Sequence, residues 1–175
     1  GDFSENMATA TTTKGNGRGG AIYNVGTMNV SGTFNGNSAN KQGGAIWNSG
    51  DLTIADGSVF SENSSSNGSA IYNAYTDGST LTVGNNVKFS GNLNGAAING
   101  GGEIKIGNDA EFTGNAGGIT LSMYNKGSLE IGDNAVFTNN NAKNGGAAIN
   151  VSANTKKFVM GDNAKFSDNT STQTG

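Results

Sequence analysis

Two short phrases recur along the whole chain and leave few folds open to it. The first is a small-residue entry into an isoleucine: GGAIYN at 19–24, GGAIWN at 43–48, GSAIYN at 68–73, GAAING at 95–100 and GGAAIN at 145–150, with GGITLSMYN at 117–125 as an interrupted copy. The second is Phe-x-x-Asn, at 3–6, 34–37, 60–63, 89–92, 112–115, 137–140 and 166–169. Successive phenylalanines lie 31, 26, 29, 23, 25 and 29 residues apart, a period that signals a solenoid or an array. Between the two phrases lies a third, apolar-variable-apolar: Met28-Asn-Val30, Leu52-Thr-Ile54, Leu81-Thr-Val83, Ile104-Lys-Ile106, Leu129-Glu-Ile131 and Phe158-Val-Met160.

Alternation with period two marks a strand with one buried face, and no window keeps a helical period of 3.6. Each repeat therefore reads as three short strands. From the third phrase to the next Phe the interval is 8 residues in five units and 6 in the first. Length varies elsewhere, in a gap after Phe-x-x-Asn, longest at residues 7–18, and in a gap after the Ile phrase, long at 74–80. A constant core with variable corners describes the coils of a parallel β-helix, whose loops leave the stack outward without disturbing its pairing. The expectation is an all-β, single-stranded parallel β-helix of about six coils with three short strands per coil. It is right-handed, following the general chirality of parallel connections. Residues 1–175 form one such segment, with no shift of composition to mark a second domain. The chain starts and stops inside the same phrase, which predicts a segment cut from a longer stack.

The columns assign roles. Ile22, Ile46, Ile71, Ile98, Met123 and Ile149 are expected inside, with a small residue two positions before each Ile that lets the chain turn. Asn37, Asn63, Asn92, Asn115 and Asn140 are expected to form a structural ladder at one bend, because an amide pairs a donor with an acceptor and Asn tolerates left-handed torsions. A second, shorter ladder is expected from Asn24, Asn48, Asn73 and Asn125, with Gly100 interrupting it. Tyr23, Trp47 and Tyr72 follow the inward Ile, so they should face outward as an aromatic row over three coils, with Tyr124 further along. Such a row either contacts a sugar ring or partner side chain, or stiffens the outer sheet by stacking.

Composition excludes several functions. Thirty glycines and no proline suggest a flexible linker until the regular apolar spacing is noticed. A net charge of −3, with Arg18 and scattered lysines, supplies no basic stripe for nucleic acid or an anionic bilayer. No apolar run approaches the roughly 20 residues that cross a membrane, so this segment does not insert directly. The absence of cysteine removes disulfides and thiolate metal sites. GNGRGG at 15–20 resembles a phosphate loop but opens a strand rather than a helix, which leaves it a corner.

Parallel β-helices also carry polysaccharide-cleaving enzymes, yet this chain has no histidine, and its acids fall opposite lysines. Lys88 and Glu111 share one outward column and Lys105 and Glu130 another, so cross-strand pairing accounts for them. Asp56, Asn85, Asn108, Asp133 and Asp162 form a further column. Asp133 above Asp162 brings two like charges within a strand spacing, which either a solvated turn or a hard cation relieves. No catalytic residue, metal site or cofactor is expected.

The alternation of GGAI, as at 19–22 and 43–46, with Phe-x-x-Asn from Phe3 to Asn169 resembles the polymorphic outer membrane proteins of chlamydiae and the adhesin-like surface proteins of gut microbes. The resemblance implies an extracellular, β-helical passenger segment serving in adhesion. Its export signal and anchor lie outside this segment, and its partner is a host receptor, a glycan or another copy of itself. The chain departs from the chlamydial pattern in having no cysteine. The competing expectation is a β-helical polysaccharide-degrading enzyme, lyase or glycoside hydrolase, or a glycan-binding module.

Overall fold

Period-two alternation becomes strand throughout. A computed structural model of the chain describes residues 1–10, 16–75 and 78–172, and among these there are only strands, turns and bends. Parts of both variable gaps, residues 11–15 and 76–77, lie outside the described residues, as does Gly15 of the GNGRGG corner.

Each coil enters the next with every strand parallel. The Phe phrases build a seven-stranded sheet in chain order, Asp2–Ser4, Thr33–Asn35, Val59–Ser61, Lys88–Ser90, Glu111–Thr113, Val136–Thr138 and Lys165–Ser167. Its register puts Phe over Phe at all six steps. The Ile phrase and the third phrase share the second large sheet. They are separate short strands in the first three coils and merge into single long strands, Ile98–Ile106 and Leu121–Ile131, in the fourth and fifth. A fourth, minor strand appears after the Asn corner, at Met7–Ala8, Ser38–Gln42 and Ser64–Asn67, and again at Asn141–Ala142 and Thr170–Ser171. Two of the three expected strands thus lie in one sheet, and a short additional strand lines one corner.

The interior is a set of columns. Seven phenylalanine rings stack face to face with centroids 4.5–5.0 Å apart and planes within 9°. Offset stacking adds about 0.5–1.5 kcal/mol per pair beyond burial. Opposite them run Met28, Leu52, Leu81, Ile104, Leu129 and Phe158, and beside these Val30, Ile54, Val83, Ile106, Ile131 and Met160. The Ile column departs from expectation at the fifth coil. Leu121, not Met123, is paired with Ile98 and Ile149, and Met123 falls level with Gly100 and Val151. The reason is the bulge at 124–126, which carries the terminal Tyr124-Asn125 of this copy out of register with the other phrases. The left-handed residue stands three positions before the Ile in Gly19, Gly43 and Gly68, but four before it in Asn94, Gly117 and Gly145.

Glycine is demanded by neighbouring backbone as well as by torsion. Gly44, two positions before Ile46, has an ordinary φ, and a Cβ there would meet the Ser69 carbonyl and the Ser64 backbone of the next coil. The small residue two before Ile therefore admits the adjacent coil, and the turn itself is made one residue earlier. The end coils remain open. Phe158 and Phe166 are 43% and 50% exposed, and they border a hollow of about 770 Å³ with Ala147, Ile149 and Met160.

Candidate functional site

The corners are held by side chains that belong to the stack. Asn6, Asn37, Asn63, Asn92, Asn115, Asn140 and Asn169 form one continuous chain of amides, each Nδ2 donating to the next Oδ1 at 2.8–3.0 Å. From Asn37 onward, Nδ2 also donates to the Phe carbonyl of the preceding coil, and the backbone N–H of each member but Asn169 donates to the next Oδ1. Just before each ladder member the chain takes a left-handed residue, with φ of 54–64° at Glu5, Gly36, Glu62, Gly91, Gly114, Asn139 and Asp168. That torsion turns a bare stretch of backbone inward, and the asparagine satisfies it.

The second ladder is shorter than expected. Asn24 donates to Asn48 at 2.7 Å, Asn48 to Asn73 at 2.6 Å, and Asn73 ends the series on the Gly101 carbonyl. Asn125 is not a member, because the pairing passes from Gly100–Met123 to Gly102–Gly127 and leaves residues 124–126 bulged.

The mixed Asp/Asn column is a staircase of the same kind. Oδ1 of Asp56, Asn85, Asn108 and Asp133 accepts the backbone N–H of the equivalent residue one coil on, at 2.7–2.9 Å. Only an acceptor is used, so Asp and Asn interchange freely. The Asp133 carboxylate accepts the Asp162 N–H, and no group of three or more candidate metal ligands occurs among the described residues. Two surface acids pair with lysines. Lys88 meets Glu111 at 3.0 Å, and Glu130 turns to Lys157 of the following coil at 2.6 Å rather than to Lys105. Lys157 holds the Glu130 carboxyl below its ordinary range.

The outward aromatic row separates into two pairs. Tyr23 stacks on Trp47 with centroids 4.3 Å apart. Trp47 is only 6% exposed: its indole N–H donates to Gln42 Oε1, and the Arg18 guanidinium sits 5.1 Å from the ring centre. Tyr23 remains 47% exposed. The other pair is Tyr72 with Tyr124, hydroxyls 2.7 Å apart and ring centres 5.9 Å apart. Tyr124 is not in the Tyr23–Trp47–Tyr72 column, whose next members are Asn99, Ser122 and Asn150. It reaches back two coils from the bulge. Burial, then the hydrogen bond to Tyr72, pushes its phenol well above the ordinary value.

Sequence reasoning passed over Asn99, because attention fell on the aromatic members of its column. Its Oδ1 is buried with no hydrogen-bond partner. It borders a polar groove of about 220 Å³ with Asn67, Ser122, Lys143 and Asn144.

The fold defines a parallel β-helix whose interior and corners are filled by repeat residues. The repeat itself matches a known one: residues 31–49 and 57–74 match the Chlamydia polymorphic membrane protein repeat. Each matched stretch runs from a Phe-x-x-Asn strand through its corner to the following Ile strand, the unit that closes one coil onto the next. Comparison with curated proteins and with solved structures gives no match.

Proposed function

We propose that this chain is a surface-exposed passenger segment, a non-catalytic β-helical stalk that mediates attachment. The repeat match supports exposure at the cell surface, since the repeat it matches is that of a membrane protein family. The carrying observation is how the polar side chains are used. Both Asn ladders, the Asp/Asn staircase and the two ion pairs consume them in holding coil to coil. Such a rod displays corners and outer faces at a distance, and corner length varies at little thermodynamic cost. The partner is a host receptor, a glycan or another copy of the chain.

The test is binding of the purified chain to host epithelial cells and to a glycan array, with ultracentrifugation over a concentration series for self-association. Saturable binding in any of the three supports the reading. Turnover of uronate or neutral polysaccharides, seen as new reducing ends or unsaturated products, overturns it in favour of the β-helical enzymes.

A further inference from the structure

The bulge at 124–126 does more than end the second ladder. It carries Tyr124 out of the register of its strand and back across coil four to Tyr72 of coil three, 52 positions earlier in the chain. Coil four permits the crossing because it offers only Gly100, Gly101 and Gly102 at that level. A Cβ on Gly101 would come within 2.8 Å of Tyr75 Cβ and 3.3 Å of Asn125 Cβ. Three of the four tyrosines of the chain therefore gather over one glycine run, with Tyr72 and Tyr124 partly exposed and Tyr75 exposed.

The Tyr72 and Tyr124 phenols are disposed for more than a hydrogen bond. Their hydroxyl oxygens are 2.7 Å apart, their ring centres 5.9 Å apart and their planes inclined by 23°. The rings thus lie side by side with their tips together, which brings the carbon beside one hydroxyl towards the carbon beside the other. Those are the carbons over which the unpaired electron of a phenoxyl radical is delocalised. Tyr23 has no such neighbour, because it stacks face to face on the Trp47 indole. Tyr75 meets Tyr124 through its backbone N–H, at 3.4 Å from the hydroxyl oxygen. The chain has no cysteine, so no disulfide can tie one coil to another, and coupling of phenols is the oxidative route left to it.

We propose that Tyr72 and Tyr124 are a site of oxidative cross-linking, at which a peroxidase acting with hydrogen peroxide couples the two rings into dityrosine and staples coil three to coil five. Each phenol gives up one electron and one proton. The two radicals join through a carbon–carbon bond between the positions beside the hydroxyls, and each of those carbons then passes its hydrogen to its own phenolate oxygen, restoring both rings. One hydrogen peroxide takes up the two electrons and two protons and leaves as two waters. The site does not depend on the attachment reading and adds a covalent modification to it.

The experiment is treatment of the dilute, folded chain with horseradish peroxidase and hydrogen peroxide, read by dityrosine fluorescence and by peptide mapping of the monomer band. The expected result is a monomer carrying one link between the Tyr72 and Tyr124 peptides, with its mass lower by two hydrogens. Tyr72→Phe and Tyr124→Phe should each abolish that product, whereas Tyr23→Phe and Tyr75→Phe should keep it. The linked monomer should keep its circular dichroism and melt about 10 °C higher, the order expected for closing a loop of 52 residues. In urea the same treatment should yield no preferred pair. Oxidation of the exposed Tyr23 or Tyr75 with no link between Tyr72 and Tyr124 would overturn the proposal. Fluorescence of the monomer that survives Tyr124→Phe, or a linked monomer that melts below the untreated chain, would overturn it as well.

Discussion

Replacing Asn92 with alanine isolates the contribution of the long ladder. The Asn92 amide donates to the Phe60 carbonyl at 3.0 Å and to Asn115 Oδ1 at 2.8 Å, and its oxygen accepts from the backbone N–H and the Nδ2 of Asn63, both at 3.0 Å. All of these groups lie in fully buried residues or on the Phe60 carbonyl, so truncation strands the Asn63 N–H, removes one of the two bonds of the Asn63 Nδ2 and takes the Asn92 donor from the Phe60 carbonyl at once. At about 1–3 kcal/mol for each stranded group, less what a water entering the vacated space restores, the loss should be about 3–5 kcal/mol. That is a large share of the roughly 5–15 kcal/mol that holds a domain together. Equilibrium urea unfolding, followed by far-ultraviolet circular dichroism and by fluorescence of Trp47, measures it. Trp47 reports on the second coil, whereas the lesion is in the third, so the two probes should also separate as nearest-neighbour coupling is broken. Ser167→Ala is the control, since its exposed hydroxyl meets Thr138 Oγ1 at 3.1 Å on an ordinary strand; it should change stability by less than about 0.5 kcal/mol. An Asn92→Ala protein within about 1 kcal/mol of wild type would refute the reasoning.

Four further outcomes follow from the same geometry. Gly57→Asn should be neutral or stabilising by about 0.5 kcal/mol in thermal melts, because its Cβ meets nothing within 4 Å and Asn86, Asn134 and Asn163 take the same left-handed torsion in later coils. Gly44→Ala, where the Cβ meets the Ser69 carbonyl, should cost at least about 2 kcal/mol in the same melts. Asp133→Asn should leave stability within about 0.5 kcal/mol and insensitive to added calcium, since the staircase uses only one acceptor oxygen. Finally, the raised Tyr124 phenol means that above the ordinary value of 10.0 the unfolded chain binds fewer protons than the folded one, so this group's contribution is complete below that pH and is lost as pH rises beyond it. Tyr124→Phe should flatten the alkaline limb of stability against pH.

Much of this was legible in the sequence, and the misreadings have physical causes. The Phe column and the third phrase could be aligned because the interval between them is the same in five of the six units and every member is apolar. The Ile column slipped at Leu121 because GGITLSMYN was aligned on its terminal YN, which actually bulges, rather than on its glycine pair. Counted from that pair, Gly117 precedes Leu121 by the same four positions that separate Gly145 from Ile149, so the signal was present. The aromatic row was read from residue type alone. Residue type does not reveal that Arg18 and Gln42 cover Trp47, or that a bulge carries Tyr124 back to Tyr72. The Asp/Asn staircase was visible as a column, but its use of backbone N–H groups, which makes charge incidental, needed the coil spacing. Asn99 was obscured for a related reason: an unpaired buried atom is a property of surroundings, not of a motif.

The most direct test of the stack is a set of distances along one outward column. Asn29, Thr53, Thr82, Lys105, Glu130 and Val159 are successive register partners. The chain has no native cysteine, so spin labels can be placed on pairs of them without background. With Asn29 as the fixed site, electron–electron resonance should give about 14 Å between backbones to Lys105, about 19 Å to Glu130 and about 24 Å to Val159, one strand spacing of ~4.8 Å per coil. Distances that scatter, or that do not rise by that step from coil to coil, would contradict the parallel stack and with it the assignment of recognition to the outer face.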